Sequence, residues 1–378
     1  MSRFARRLLI ALICLFVLAW AYRIYSRKMY IWIPGFFLNR MYDETAAGPK
    51  HIFFFYTDHF EPGANKASMD RWVAEYPKIA GRHHDSVGRP AQHSWFYPGE
   101  QPIDYNLESL RKLVDGGYGE VELHYHHEND TPESGRKKFA DAVVWFQKFG
   151  YLKGTDGKTH FGFIHGNWGL DNSRGNEYCG NYRELQTLLD LGCYADFTFP
   201  SIWWDSQPSI VNSIFESVDD DRSKSYDKGT LVRAGRSSIG GLTIFEGPLL
   251  LALTPSPAKL FALVEDGNIH LVDPVNERRV DLWVKANVHV QGRPDWVFIK
   301  VHGHGASTPE DMQETLGGGL ERGLSYLERH YNDGSNFVLH YVTAREAYNV
   351  ARAAADGKTG DPQQYMNYVI PAYAGPRK

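Results

Sequence analysis

From Lys50 onward the chain alternates short apolar runs with longer amphipathic ones. Seven runs have the length of strands: "HIFFFYTDHF" (51–60), "AQHSWFYP" (91–98), "EVELHYHH" (120–127), "HFGFIHGNW" (160–168), "CYADFTFPS" (193–201), "WVFIKVHGHG" (296–305) and "FVLHYVTA" (337–344). The segments between them carry helix signals. "NLESLRKLVDGG" ends on glycines, as helix C-termini often do. "TPESGRKKFADAVVWFQKFG" opens with a threonine cap, proline at the first helical position and a glutamate beside it, and "STPEDMQETL" repeats that start. Strands alternating with helices predict βα units and a parallel sheet, and about seven strands suit a barrel. The rhythm breaks between about 202 and 290, where "GLTIFEGPLLLAL" predicts a buried strand or hairpin and "DDDRSKSYDKGT" a polar loop. We take this segment as an insertion in the barrel.

Before Lys50 the pattern is different. Arg3, Arg6 and Arg7 precede an uncharged run from Leu8 to Tyr22, and Arg23, Arg27 and Lys28 follow it. The run fits a short membrane anchor or a signal-peptide core, and "AWA" at 19–21 matches a small-x-small cleavage site. The next stretch, "MYIWIPGFFL", is again apolar and aromatic, which favours an uncleaved anchor. The expected organisation is therefore an anchor over 1–28, a membrane-proximal linker over 29–48 and a barrel domain over 49–378. The barrel is expected on the periplasmic or extracytoplasmic side.

The chain has 378 residues, long enough for one large barrel, and its formal net charge of -4 gives no basic face for nucleic acid. Aromatic residues make up 14%, enough to fill a core and still line a sugar-binding cleft; Trp203 and Trp204 follow one predicted strand. There is no disulfide scaffold or CxxC metal site; a single Cys179–Cys193 bridge is the alternative for an exported domain, with free thiols the expectation. His83 and His84 are expected on a solvated loop.

Parallel α/β architectures put their sites at the C-terminal ends of strands, and polar residues collect there in this chain. The first run ends in Asp58, His59 and Glu61; the second carries His93; the third ends in "VELHYHHEND". The fourth ends in His165, Asn167, Trp168 and Asp171, and "VHGHGA" supplies His302 and His304. Residues i and i+2 of a strand face one side, so His124 and His126 point together and His127 faces away or begins the loop. Two imidazoles plus a carboxylate from a neighbouring strand suit a divalent cation such as zinc. His165, Asn167, Trp168 and Asp171, with His93, are candidate substrate contacts.

The order of these segments resembles the polysaccharide deacetylase (NodB-homology) family. "FFFYTDHFEP", "EVELHYHH" and "IKVHGH" stand where that family has an Asp-Asp pair, a His-x-x-x-His segment and a Leu-x-His segment, over roughly residues 50–345. The pair is Asp58-His59 here. Glu128 occupies the second histidine position, so His126 or His127 must serve. "IHGNWGLDN" stands in place of an arginine-bearing motif. The resemblance implies a distorted (β/α) barrel and metal-assisted removal of N-acetyl groups from a cell-envelope or extracellular polysaccharide. It implies a metal set of Asp58 or His59 with His124 and His126, and a carboxylate base. We assign Asp58 to the metal and Glu61 to the base, the reverse being the other reading, with His302 or His304 protonating the leaving amine. Two alternatives remain at this point. One is a glycosidase working through Asp58 and Glu61; the other is a non-catalytic polysaccharide-binding or export-complex protein.

Overall fold

Every side chain from Ile52 to His59 is buried, the result of a strand covered on both faces and paired on both edges. That strand is β1 (Lys50–His59), the centre of a mixed α/β fold. The computed structural model describes residues 2–41, 44–252 and 264–375. The other strands are β2 (His93–Pro98), β3 (Gly119–Tyr125), β4 (Phe161–His165), β5 (Cys193–Asp196), β6 (Ser213–Ser217), β7 (Thr230–Leu231), β8 (Leu242–Glu246), β9 (Leu250–Leu251), β10 (Val264–Glu265), β11 (Asn268–Ile269), β12 (Trp296–Gly303) and β13 (Phe337–Tyr341). All seven predicted runs contain a strand.

The ladder runs β11-β12-β1-β2-β3-β4-β5-β8-β6-β7 and is parallel from β11 through β8. β6 and β7 pair antiparallel at its end, and β13 lies parallel to the first half of β1, while β2 takes the second half. No strand-to-strand ladder joins the β11 end to the β7 end among the described residues, but an irregular segment spans the gap. Gln291 exchanges backbone hydrogen bonds with Val232 and Ala234, and Val288 accepts the Phe298 N–H of β12. Side chains bridge the gap: the Phe245 and Phe298 rings lie 6.1 Å apart, and the Lys300 ammonium donates to the carbonyls of Phe197 and Phe199. The expected insertion is partly integral to the sheet, since β8 joins β5 and β11 joins β12; residues 253–263 of it lie outside the described residues.

Helices follow the strands. They are α1 (Arg3–Ser26), α2 (Met29–Met41), α3 (Lys66–Ala80), α4 (Asp104–Asp115), α5 (Pro132–Lys148), α6 (Glu184–Leu191), α7 (Glu277–Ala286), α8 (Pro309–Leu316), α9 (Gly319–His330) and α10 (Ala344–Ala355). The predicted caps form: Thr131 accepts the Ser134 N–H (3.2 Å) at α5, and Thr308 accepts the Asp311 N–H (3.1 Å) at α8. Period-two alternation splits the core. Phe53 and Phe55 point inward to Phe96, Phe197, Phe245 and Phe298, whereas Ile52, Phe54 and Tyr56 point outward under the helices with Trp72 and Trp283.

α1 is 24 residues long and apolar enough to cross a membrane, by length and composition, and none of its residues is buried. Where a linker is expected, α2 instead packs Met29, Trp32 and Phe36 against Ile202, Val211, Leu249 and Leu250. Apolar residues at i, i+3 and i+7 make that face. Cys179 and Cys193 are free and buried. His83, expected in solvent, is buried and bonded to Glu328 at 3.1 Å.

Inside the sheet Glu122 is fully buried. It accepts the Tyr194 hydroxyl (2.7 Å), the Tyr373 hydroxyl (2.8 Å) and the Gly162 N–H (2.6 Å). Burial, aided by the charge of Glu120, pushes its carboxyl up to about 8 despite those donors. A carboxyl raised on folding stabilises the fold fully below its unfolded value of 4.5, and this is lost as pH rises through about 8. Thermal melts should therefore show the protein losing stability between about pH 5 and pH 8, and Glu122→Gln should flatten that slope. An unchanged slope in the variant would assign it to another group.

Candidate active site

The inward residues at the C-terminal ends of β1, β3 and β12 are His59, His124 and His302. They are joined by Glu61, His126 and His304 from the loops just beyond. The His59 ring centroid lies 5.0 Å from that of His124, 4.7 Å from His304 and 6.4 Å from His302, and His124 lies 4.6 Å from His126. Glu61 stands among them. Its Oε1 accepts His124 Nε2 at 2.9 Å and is 3.6 Å from His126 Nε2; its Oε2 accepts the Ser307 hydroxyl at 3.2 Å. Trp168 closes one side, 5.4 Å from His59 and 5.7 Å from His304 between ring centroids. Thus Glu61, His59, His124, His126, His302, His304 and Trp168 are brought together.

The electrostatics separate these groups. Burial opposes ionisation of Glu61, but the hydrogen bond and charge of His124, with His304 and His126, outweigh it and bring its pKa down to about 2. Burial, reinforced by the neighbouring imidazoles, drives His59 well below the usual histidine value. Burial likewise lowers His124, against the pull of Glu61. His302 is held well down by burial and by the Lys300 charge. His126 is raised instead: its Nδ1 bond to Glu100 (2.6 Å), together with the charges of Glu61 and Glu100, overcomes burial.

The donor set fits a divalent cation. His59, Glu61 and His304 present donor atoms within 4.8 Å of one another, as do Glu61, His124 and His126. The Nδ1 atoms of His59, His124 and His302 are buried without a hydrogen-bond partner, a costly arrangement for polar atoms that have no further use. Neutral imidazoles and an ionised carboxylate are the forms a metal binds.

Asp58 is not part of this group. Successive strand residues face opposite sides, so Asp58 points outward where His59 points inward. Its Oδ2 meets His93 Nε2 at 3.0 Å and its Oδ1 accepts the Gly305 N–H at 2.7 Å, and it is wholly buried. The expected metal and base roles of Asp58 therefore lack geometry. So does a glycosidase pairing of Asp58 with Glu61. What Asp58 does is tie β1 to the turn carrying His302 and His304. A Cβ at Gly305 would lie 2.6 Å from Asp58 Oδ2 and 2.9 Å from Trp72, so only glycine fits that turn.

Three expected substrate contacts also move. His93 lies beneath the helices among Tyr56, Trp72, Tyr76 and Trp95. His165, outward on β4, and Asp171, whose Oδ2 accepts the Ser225 N–H (2.7 Å), are both fully buried. Asn167 stays near the mouth beside Trp168, its side chain donating to the His127 carbonyl at 2.9 Å. Arg174 donates to the Asn167 carbonyl (2.5 Å) and stacks on Trp204 at 3.8 Å, while Arg27 covers Trp203 at 4.4 Å. Glu100 and Ser307 are site residues that the sequence reading omitted. Glu100 follows β2 by two positions, and the same strand-end rule applied to "YPGEQP" points to it.

No protein-family model matches this chain, and no curated protein matches it. Solved structures do align, two of them as follows. One, assigned to the polysaccharide deacetylases and from Mycobacterium smegmatis, is 11% identical over 84% of this chain and 96% of its own, with a TM-score of 0.43. The other, the Xyl-CE4 domain of a multidomain xylanase from the hindgut metagenome of Trinervitermes trinervoides, is 11% identical over 79% of this chain and 90% of its own, with a TM-score of 0.34. At TM-scores below 0.5 these likenesses carry no argument about activity.

Removing the Asp58 carboxylate strands the buried His93 Nε2 and Gly305 N–H, so Asp58→Ala should lose on the order of 3 kcal/mol of stability. Glu61→Gln removes the carboxylate charge whose stabilisation by its histidine neighbours holds the Glu61 pKa down, but keeps an oxygen to accept from His124 at a partly exposed side chain. It should therefore also lose stability at neutral pH, by less than Asp58→Ala. Circular-dichroism melts of both variants make the comparison; a loss in Asp58→Ala no larger than that in Glu61→Gln would contradict the anchoring role given to Asp58.

Proposed function

We propose that this protein is a metal-dependent hydrolase that removes N-acetyl groups from a polysaccharide. The observation that carries this reading is the convergence of one ionised carboxylate and five imidazoles on the inner face of the sheet, at the C-terminal strand ends. Glu61 is common to both donor groups and would hold the cation, with imidazoles drawn from His59, His124, His126 and His304. When bound, a divalent cation such as zinc polarises an amide carbonyl and lowers the pKa of water.

The chain's own residues do the rest. His302, with its Nδ1 unpartnered, can carry a proton at its imidazole, and the burial and Lys300 charge that hold its pKa down make it a ready donor of that proton to the leaving amine. Glu100 holds His126 by its Nδ1, which keeps that ring turned toward Glu61. Trp168, with Asn167 behind it, offers an aromatic wall for the apolar face of a sugar ring. Glu61, with its pKa near 2, suits ligation better than proton abstraction, which shifts the base role from the carboxylate to histidine. We place the polysaccharide in the cell envelope or outside the cell, with α1 as the anchor and the enzyme domain outside the cytoplasm.

Acetate release from N-acetylated oligosaccharides by the full-length protein in detergent is the test. Activity should be lost on chelation, return on adding zinc, and fall at least about 100-fold in Glu61→Gln and His302→Ala. Chelator-resistant activity, or none with any divalent cation, would remove the proposal.

A further inference from the structure

A second group of metal-ligating side chains lies on the other face of the sheet. His127 and His165 follow the outward register of β3 and β4, and they meet Cys179 from the loop after β4 and Glu184 at the start of α6. All four are buried, and one donor atom from each lies within 4.8 Å of the others. No atom of this group belongs to the mouth described above.

The contacts are organised around the Glu184 carboxylate. His127 Nε2 is 2.8 Å from its Oε1, Cys179 Sγ is 3.5 Å from its Oε2, and His165 Nε2 is 3.8 Å from the same Oε2. The last distance is too long for a hydrogen bond. His165 Nε2 is therefore a fully buried polar atom aimed into the group without a partner. The amides of Asn167 (3.2 Å) and Gly169 (3.3 Å) face the Nδ1 of that ring, so it turns Nε2 to the cluster and carries its proton there. Three protons thus surround one carboxylate: those of His127, His165 and the Cys179 thiol. A single cation in their place would satisfy every donor atom, including the one now without a partner.

The surroundings are those of a prepared site. Asp130 Oδ2 accepts the Nδ1 proton of His127 at 2.9 Å, fixing the ring with Nε2 inward, and Lys138 (2.8 Å) and Ser134 (2.6 Å) hold Asp130. Carboxylate-to-histidine contacts of this kind orient metal ligands. Glu184 Oε2 is itself steadied by the Asp171 N–H at 2.6 Å.

We propose that His127, His165, Cys179 and Glu184 bind a structural divalent cation, with zinc the best match to two imidazoles, one thiolate and one carboxylate. The four donors are buried and the site has no open position for water or substrate. The cation fastens the ends of β3 and β4 to α6 and to the loop carrying Asn167 and Trp168, so its role is to hold the wall of the mouth.

The test uses the full-length protein in detergent, loaded with zinc or cobalt. To remove the mouth site, the double variant Glu61→Gln, His124→Ala is measured by elemental analysis. It should retain about one equivalent of zinc, and adding Cys179→Ser should abolish it. Cobalt loading of that double variant and of wild type should give an intense thiolate-to-cobalt charge-transfer band, which histidine and carboxylate ligands alone do not produce. That band reads the ligand directly even if the triple variant fails to fold. Loss of all zinc from the double variant, with no such band in either cobalt-loaded protein, would overturn the proposal while leaving the mouth site to be judged separately.

Discussion

The site depends on one constraint: β1 is buried on both faces, so each of its residues has a fixed side. A one-residue slip would send Phe53 and Phe55 out of the inner aromatic layer and bring Phe54 and Tyr56 into it. Burying one aromatic side chain is worth roughly 1.5–3 kcal/mol, so the register is held by several such terms at once. The chemistry at the end of the strand inherits that register. His59 enters the mouth because Phe55 is inside, and Asp58 is excluded from it because Tyr56 is outside. The same rule sorts β3, where Glu122 and His124 face in while Leu123 and Tyr125 face out. It sorts β12, where Lys300 and His302 face in.

Around this frame the charges are economical. The mouth gathers five histidines with Glu61 at their centre and Glu100 behind His126. Burial keeps His59, His124 and His302 in their neutral forms, so crowding them costs little mutual repulsion. Below them Lys300 is satisfied by backbone carbonyls, with its pKa lowered to about 8 by burial against the pull of Glu246 and Asp196. Asp58 works from the opposite face, connecting the end of β1 to the Gly305 turn. The two faces of the sheet thus serve different ends: donor atoms at the mouth, and fastening beneath the helices.

Much of this was legible in the chain. The seven strand runs stand out because each is short, apolar and followed by polar residues, and helix caps at Thr131 and Thr308 announced two of the helices. His124 and His126 were paired correctly by period two. The same rule, applied to Asp58 and His59, forbids their joint role; the resemblance to an Asp-Asp motif obscured it. β8 is legible as the buried strand in "GLTIFEGPLLLAL", but its place in the parallel ladder was hidden because antiparallel neighbours β6 and β7 interrupt the βα rhythm around it. His93 was expected at the cleft and His83 in solvent, but each finds a carboxylate from a distant segment, Asp58 and Glu328. Cys179 and Glu184 gave no signal because their partners arrive from β3 and β4. Such groupings depend on the packing of α6, which periodicity does not specify.

The central claim is that the inner strand ends form one cation site built around Glu61. Anomalous diffraction from crystals of the zinc-loaded protein, recorded on both sides of the zinc absorption edge, tests it most directly. The account predicts a peak beside the Glu61 carboxylate, within bonding distance of imidazole nitrogens from the group His59, His124, His126 and His304. A peak between Asp58 and His93, or none on the inner face at full zinc loading, would contradict it.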